Sequence, residues 1–169
     1  MVCYISFSID GRELMIHEDN PEDVKMWRTH RGNRKLKKPF WNQIKIQTNA
    51  KGYKLINITP KKYYLHRVNY YAHNPDWNIH DSSMDNFIDH KDIDCTNNYI
   101  ENLRVLTNQE NRFNTNCKGF TWCKKAQKWK AQIMVKGKNK SLGYFDLKED
   151  ARQAYLAAKK IYHTIQIRK

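Results

Sequence analysis

An aspartate, an imidazole and two carboxamides, Asp89, His90, Asn102 and Asn111, fall inside one stretch of 23 residues. Each of these types has a use in splitting a phosphodiester, a reaction that needs a nucleophilic water and positive charge near the phosphate and the departing oxygen. An imidazole can take a proton from water near neutral pH. A carboxylate and a carboxamide carbonyl are hard oxygen donors. Two such donors, completed by waters and a substrate phosphate, suit Mg²⁺, which gives up its hydration shell reluctantly. An Asp-His dipeptide alone reads as a polar turn; the later asparagines make it a candidate centre.

The elements that must position these groups can be read from local patterns. Phe87–His90 reads as a strand, Lys91–Asn98 as a polar loop and Leu103–Leu106 as a second strand. Thr107-Asn108-Gln109-Glu110 has the form of a capping box, so a helix begins after Thr107 and Asn111 falls in its first turn. Upstream, Trp41–Gln47 and Tyr53–Ile58 are strand-like around a turn at Asn49-Ala50-Lys51-Gly52, and Lys61–Tyr64 reads as a strand edge. Leu65–Ala72 has helical apolar spacing and ends at Asn74-Pro75. Residues 1–38 carry weaker patterns. Met1–Ile9 reads as a strand, Asn20-Pro21-Glu22-Asp23 as the cap of a short helix, and Arg28–Lys38 as a solvated or partly disordered charge run, either a loose arm or a contact to backbone phosphates.

Charge supplies the substrate class. The chain has 169 residues and a formal charge of +14, with a pI near 9.6 and a mean hydropathy of −0.92. Such an excess of base points to a polyanionic partner. Its distribution is sharper than its sum. Val24–Pro75 holds thirteen Lys or Arg and no acid, and Asn111–Phe145 holds nine and none. Between them, Asp76–Glu110 has eight acids against Lys91 and Arg104. Carboxylates that hold a cation, set between stretches that attract phosphate, fit a metal centre acting on nucleic acid. No apolar run is long enough to span a membrane, and no secretory signal opens the chain. Cys3, Cys95, Cys117 and Cys123 form no Cys-x-x-Cys pair, which disfavours a zinc cluster and a disulfide framework. The expectation is an intracellular, non-secreted protein with reduced thiols.

The C-terminal third reads as a separate unit. Gly119–Lys125, Lys128–Lys136 and Lys140–Phe145 have the pattern of three strands. In the middle one Trp129, Ala131, Ile133 and Val135 alternate with Lys128, Lys130, Gln132, Met134 and Lys136. A helix follows, with Asp146 as its cap and Ala151, Ala154, Tyr155, Ala158, Ile161 and Tyr162 on one side. Trp122, Trp129 and Tyr155 are expected in the core. The opposite, basic sheet face carries Thr121, Cys123, Lys125, Lys128, Lys130, Gln132, Met134, Lys136, Asn139 and Ser141, of which Thr121, Lys125, Lys128, Lys130, Gln132, Lys136 and Asn139 are the expected DNA contacts. Lysines there position the protein through phosphates, and Gln132 is the best base reader, because Gln pairs bidentately with adenine.

The run from Asp89-His90-Lys91-Asp92 through Asn97-Asn98, Ile100-Glu101-Asn102-Leu103-Arg104 and Thr107 to Asn111 closely resembles homing-type HNH endonucleases. Gly52-Tyr53-Lys54-Leu55-Ile56 and Leu65-His66-Arg67-Val68 resemble the strand and His-Arg helix of that family. The resemblance implies a ββα-metal (His-Me finger) nuclease domain over residues 39–116. It implies His90 as general base, Asp89 and Asn111 as ligands of Mg²⁺ (or Mn²⁺), and Asn102 as the residue whose side chain crosses the loop and orients His90. Arg67 is read as a DNA contact. His66 either touches phosphate, steadies the catalytic loop, or is a packed histidine bracing the site. The chain departs from the family at Ile93-Asp94, where related loops carry Gly-Asn, and a β-branched residue resists positive φ.

Residues 117–169 resemble the ethylene-response-factor (Apetala-type) DNA-binding domain, on Lys118-Gly119-Phe120, Trp129–Ile133, Leu142–Asp146 and the Ala-rich helix. That resemblance implies a three-stranded antiparallel sheet on one helix, laid in the major groove. The expectation is therefore an α+β protein: an N-terminal extension over residues 1–38, the nuclease domain and the DNA reader. It would cut double-stranded DNA as a monomer or weak dimer, with a phage, viral or mobile-element origin in keeping. The other function classes are a non-catalytic DNA-binding protein with a decayed nuclease fold, and a ribonuclease.

Overall fold

The computed structural model describes residues 3–165, in two compact units, Met1–Val105 and Leu106–Lys169. Met1 and Val2 of the expected first strand lie outside the described residues, as do 166–169. Among the described residues no helix is long and apolar enough to cross a membrane.

The first unit opens with an antiparallel meander of β1 (Tyr4–Ile9), β2 (Arg12–His17), β3 (Asn20–Arg31) and β4 (Arg34–Gln43), paired in that order. Asp10 and Gly11, both at positive φ, make the two-residue turn between β1 and β2, the geometry that matches strand twist. Two expectations change here. Asn20–Asp23 begins a strand rather than capping a helix. Asn20 Oδ1 does accept the Glu22 N–H at 3.1 Å, as a cap would. The backbone is nevertheless claimed by β2, which pairs Ile16 with Val24 and Leu14 with Met26. The Arg28–Lys38 run is likewise not loose, but the outer part of the β3–β4 hairpin.

These strands are integral to the unit, not an appendage. Leu14, Ile16, Val24 and Met26 share one core with Ile44, Ile56, Ile58, Leu65 and Val68. The expected Trp41–Gln47 strand is interrupted. β4 stops at Gln43, the Ile44 N–H bonds Val24 O at 2.8 Å, and the chain resumes as β5 (Gln47–Thr48). β5, β6 (Lys54–Ile58) and β7 (Lys61–Tyr64) form a second antiparallel sheet. Helix α1 (Leu65–His73) follows directly, burying Leu65, His66, Val68, Asn69 and Ala72, and ends where Asn74 N–H bonds Tyr70 O and Tyr71 O. β8 (Phe87–His90) and β9 (Leu103–Leu106) make a two-stranded sheet, with a 3-10 turn at Ile100–Asn102 just before β9. Helix α2 (Asn108–Phe113) comes next in the chain.

In the second unit β10 (Phe120–Cys123), β11 (Lys128–Val135) and β12 (Lys138–Phe145) form the expected antiparallel sheet, and α3 (Lys148–Tyr162) packs on it. Ala131 and Ile133 are buried on the helix side with Ala151, Tyr155 and Ala158. Three details differ from expectation. The N-cap position of α3 is Leu147, without a side-chain bond, and Asp146, one residue earlier, sits in an exposed ion pair with Lys128 Nζ at 3.1 Å. Ile161 is exposed; at about 100° per residue it lies roughly 90° around the helix from the Ala151–Tyr155–Ala158 stripe. Trp122 packs against Trp129 but is 44% exposed, since β10 is an edge strand.

Candidate active site

Asp89 and His90 are the last two residues of β8, each only 6% exposed. Arg104, on the paired strand β9, donates to Asp89 Oδ2 from Nε at 2.9 Å and from Nη2 at 2.8 Å. Two charge-assisted bonds converging on one oxygen tie that oxygen to β9 and offset the cost of burying the carboxylate. Sequence reasoning left Arg104 out of the site. The available signal was that it is one of only two bases in the acidic segment Asp76–Glu110.

The tautomer of His90 follows from its neighbours. Its Nε2 lies 3.1 Å from Asn98 Oδ1. The Asn98 amide cannot be turned round, because its Nδ2 donates to Thr96 O at 3.0 Å, a pure acceptor. Oδ1 therefore faces the imidazole, and in neutral His90 the proton sits on Nε2 while Nδ1 carries the lone pair. Asn98 is held in turn by Asn69 on α1, whose Nδ2 donates to Asn98 O at 2.7 Å. Asn98 and Asn69 are both 1% exposed, and neither was anticipated from sequence.

Asn102 does bridge the loop, but toward Asp92 and Asn97. Its Oδ1 accepts the Asp92 N–H at 3.1 Å, and its Nδ2 donates to Asp92 Oδ1 at 2.9 Å and Asn97 O at 2.8 Å. Asn97 Nδ2 closes the ring on Asp92 Oδ2 at 2.7 Å. Burial raises the Asp92 pKa, yet the bonds from Asn102, the Asp94 N–H and Asn97 outweigh it and leave the group below its ordinary value. The Thr96 N–H and hydroxyl lower Asp94 similarly. Ile93, where related loops carry glycine, takes a left-handed φ of 70°. Such a backbone costs a β-branched residue about 1–2 kcal/mol. The bonds Ile93 N–H to His90 O (3.0 Å) and Asp94 N–H to Asp92 Oδ1 (2.9 Å) hold it there.

His66 underlies His90, its ring edge-on at 5.0 Å between centroids. Tyr64 stacks on it at 5.4 Å, and Tyr53 contacts both imidazoles, at 5.7 Å from His66 and 6.2 Å from His90. Burial first, then the proximity of His90 and Arg67, drives the His66 pKa down to about 3. His66 is therefore neutral at any working pH, and its buried Nδ1 has no hydrogen-bond partner among the described residues. Arg67 is engaged internally: Nη1 donates to Asn86 O, Nη2 to Ile79 O and Asp81 O, and the guanidinium lies over Trp77. It clamps the chain that leads into β8.

The capping box at α2 is formed. Glu110 N–H bonds Thr107 Oγ1 at 3.1 Å, and the Thr107 N–H bonds Glu110 Oε2 at 2.9 Å. Asn111 is accordingly in the helical first turn, with its N–H on Thr107 O at 2.9 Å. Asp89 carries a carboxylate and Asn111 a carboxamide, each a hard-oxygen donor of the kind Mg²⁺ takes. Arg104 occupies one oxygen of that carboxylate, Oδ2. Among the described residues no group of three His, Cys, Asp or Glu side chains is placed to hold a metal ion.

On the sheet of the second unit, Thr121 pairs across to Lys130, Gln132 to Ser141, and Met134 to Asn139, all facing away from α3. Lys128 is tied to Asp146, while Lys125 and Lys136 stand in the turns either side of β11.

No curated protein matches this chain, and neither does any solved structure. A family model described as HNH endonuclease matches residues 63–113, from β7 through α2, and stops short of the C-terminal sheet. The segment carrying Asp89, His90, Asn98, Asn102, Arg104 and Asn111 is thus similar to the HNH endonuclease domain.

Proposed function

We propose that the protein is a homing-type DNA endonuclease in which His90 is the general base. Its Nδ1 takes a proton from the attacking water, and the Nε2–H bond to Asn98 stabilises the imidazolium that forms. Asp89 and Asn111 would hold a divalent ion, Mg²⁺ with Mn²⁺ as a substitute, whose chemistry when bound would be electrostatic stabilisation of charge on the phosphate and the leaving 3′-oxygen. Arg104 keeps the Asp89 carboxylate oriented, and Asn102 keeps the loop after His90 in shape. The products are 5′-phosphate and 3′-hydroxyl ends.

Residues 39–116 act as the nuclease module, and residues 117–169 as an Apetala-type reader of double-stranded DNA. In that reader Thr121, Lys125, Lys128, Lys130, Lys136 and Asn139 touch backbone or sugar, and Gln132 reads a base edge. One centre per chain nicks DNA as a monomer, and a weak dimer cuts both strands.

What carries this reading is the imidazole of His90, fixed in one tautomer beside a buried carboxylate, inside the HNH segment. The test is nicking of supercoiled plasmid with Mg²⁺. Wild type should nick it, with cut ends that a ligase reseals without prior phosphorylation. Inert wild-type protein, or cleavage of RNA in preference to DNA, overturns the reading.

A further inference from the structure

The β3–β4 hairpin is longer than the sheet that supports it. β2 pairs with β3 only as far as Met26. Beyond that point Trp27–Arg31 is paired with β4 alone, through Trp27–Trp41, Arg28–Phe40, His30–Lys35 and Arg31–Arg34. Five residues at about 3.3 Å each make a two-stranded ribbon extending about 16 Å. Between the Phe40 and Lys35 pairings, Leu36–Pro39 bulges from β4, because Pro39 has no N–H to give the ladder.

Every charge on this ribbon is positive. Arg28, Arg31, Arg34, Lys35, Lys37 and Lys38 are joined by no acid from Val24 to Pro75. None of the six forms an ion pair among the described residues, and all but the half-buried Arg28 are exposed. A sheet can blunt an edge strand with a lysine and a proline, yet here the bases lie on both strands. Phe40 and Trp41 are also exposed, at 50% and 37%, and Trp41 rests against Trp27 at 5.2 Å, stiffening the root. A cleft of about 290 Å³ opens there, walled by Arg28, Lys45, Asn42, Gln43, Gln47 and Asn57. Cations that seek phosphate and carboxamides that match base edges are the two contact types of a duplex reader.

We infer that the β3–β4 ribbon is a second duplex-DNA-binding element, entering a groove with its cations on the phosphates and its basal carboxamides against base edges. The major groove, about 12 Å wide, admits a two-stranded ribbon. The inference rests on DNA being the substrate, as proposed above, but does not depend on cleavage.

The test uses the full chain and a random-sequence 30-base-pair duplex, with EDTA present so that nothing is cut. Affinity is measured across a salt series. Replacing Arg31, Arg34, Lys35 and Lys38 together by Gln should lower the slope of log affinity against log salt by about 3 to 4, near 0.9 for each phosphate that is no longer neutralised. Exchanging the same residues for the other basic type (Arg→Lys, Lys→Arg) should keep the wild-type slope. Circular dichroism verifies that both variants fold.

An unchanged slope for the Gln variant overturns the inference. So does a loss confined to single-stranded RNA of the same length. If the slope falls while wild type fails to nick plasmid in Mg²⁺, the ribbon stands and the nuclease reading falls. Nicking with an unchanged slope separates the two the other way.

Discussion

His66 makes the stability of the first unit depend on pH in a defined direction. Buried against Tyr53, Tyr64 and His90, it has a folded pKa of about 3 against an ordinary 6.5. The unfolded chain binds this proton and the folded chain does not, so stability is complete above about pH 6.5 and declines as pH falls toward 3. Each pH unit in that window costs about 1.4 kcal/mol. From pH 7 to pH 5 the loss through His66 alone is therefore about 2 kcal/mol. The perturbation is His66→Phe, which keeps a ring in the stack and removes the titrating group together with the partnerless Nδ1. Urea denaturation of wild type and variant at pH 7, 6 and 5 isolates the effect, because other titrating groups cancel in the difference. The variant should gain about 2 kcal/mol on wild type over that range. A difference that stays constant with pH would show that His66 titrates normally, and that the burial argument is wrong.

Three further outcomes follow from the geometry. Ile93→Gly should stabilise the first unit by about 1 kcal/mol, because the left-handed strain exceeds the entropy that glycine adds to the unfolded chain; destabilisation in thermal melts would show that φ near 70° is not strained there. Gly119→Ala should unfold the second unit or cost it more than about 3 kcal/mol, since a Cβ would stand 2.0 Å from the Tyr155 ring at a φ of 76°; a near-neutral melt of residues 106–169 within the full chain contradicts this packing. In ¹⁵N NMR of neutral His90, Nε2 should be the protonated nitrogen in wild type, and Asn98→Ala should produce a tautomer mixture. A protonated Nδ1 in wild type would remove His90 as a base in the proposed orientation.

The parts legible in the sequence were those whose local chemistry agrees with their tertiary partners. The period-two alternation of β11 survives because one face meets α3 and the other meets solvent. The Thr107–Glu110 box forms between residues three apart, so the local pattern and the helix start coincide. Asn20–Asp23 failed for the opposite reason. Its side-chain bond to Glu22 is common to a helix cap and a turn, and only the pairing with β2 decides between them. Asp146 falls one residue before the N-cap and pairs instead with Lys128, 18 residues away. In the site, Asp89 and His90 stood out by type. Asn98 and Arg104 acquire their roles through contacts that span 8 and 15 residues. Asn98 stood beside Asn97 in a polar loop, and nothing local marked which of the two would face the imidazole.

The most direct test of the central claim is cleavage of supercoiled plasmid in Mg²⁺ by wild type, His90→Ala and Asn111→Ala at matched concentration. The account predicts nicking by wild type and at least about a hundredfold loss of rate in His90→Ala, the scale of general-base catalysis. It also predicts a loss in Asn111→Ala that raised Mg²⁺ or Mn²⁺ partly restores. Full cleavage by both variants, or none by wild type, would contradict it.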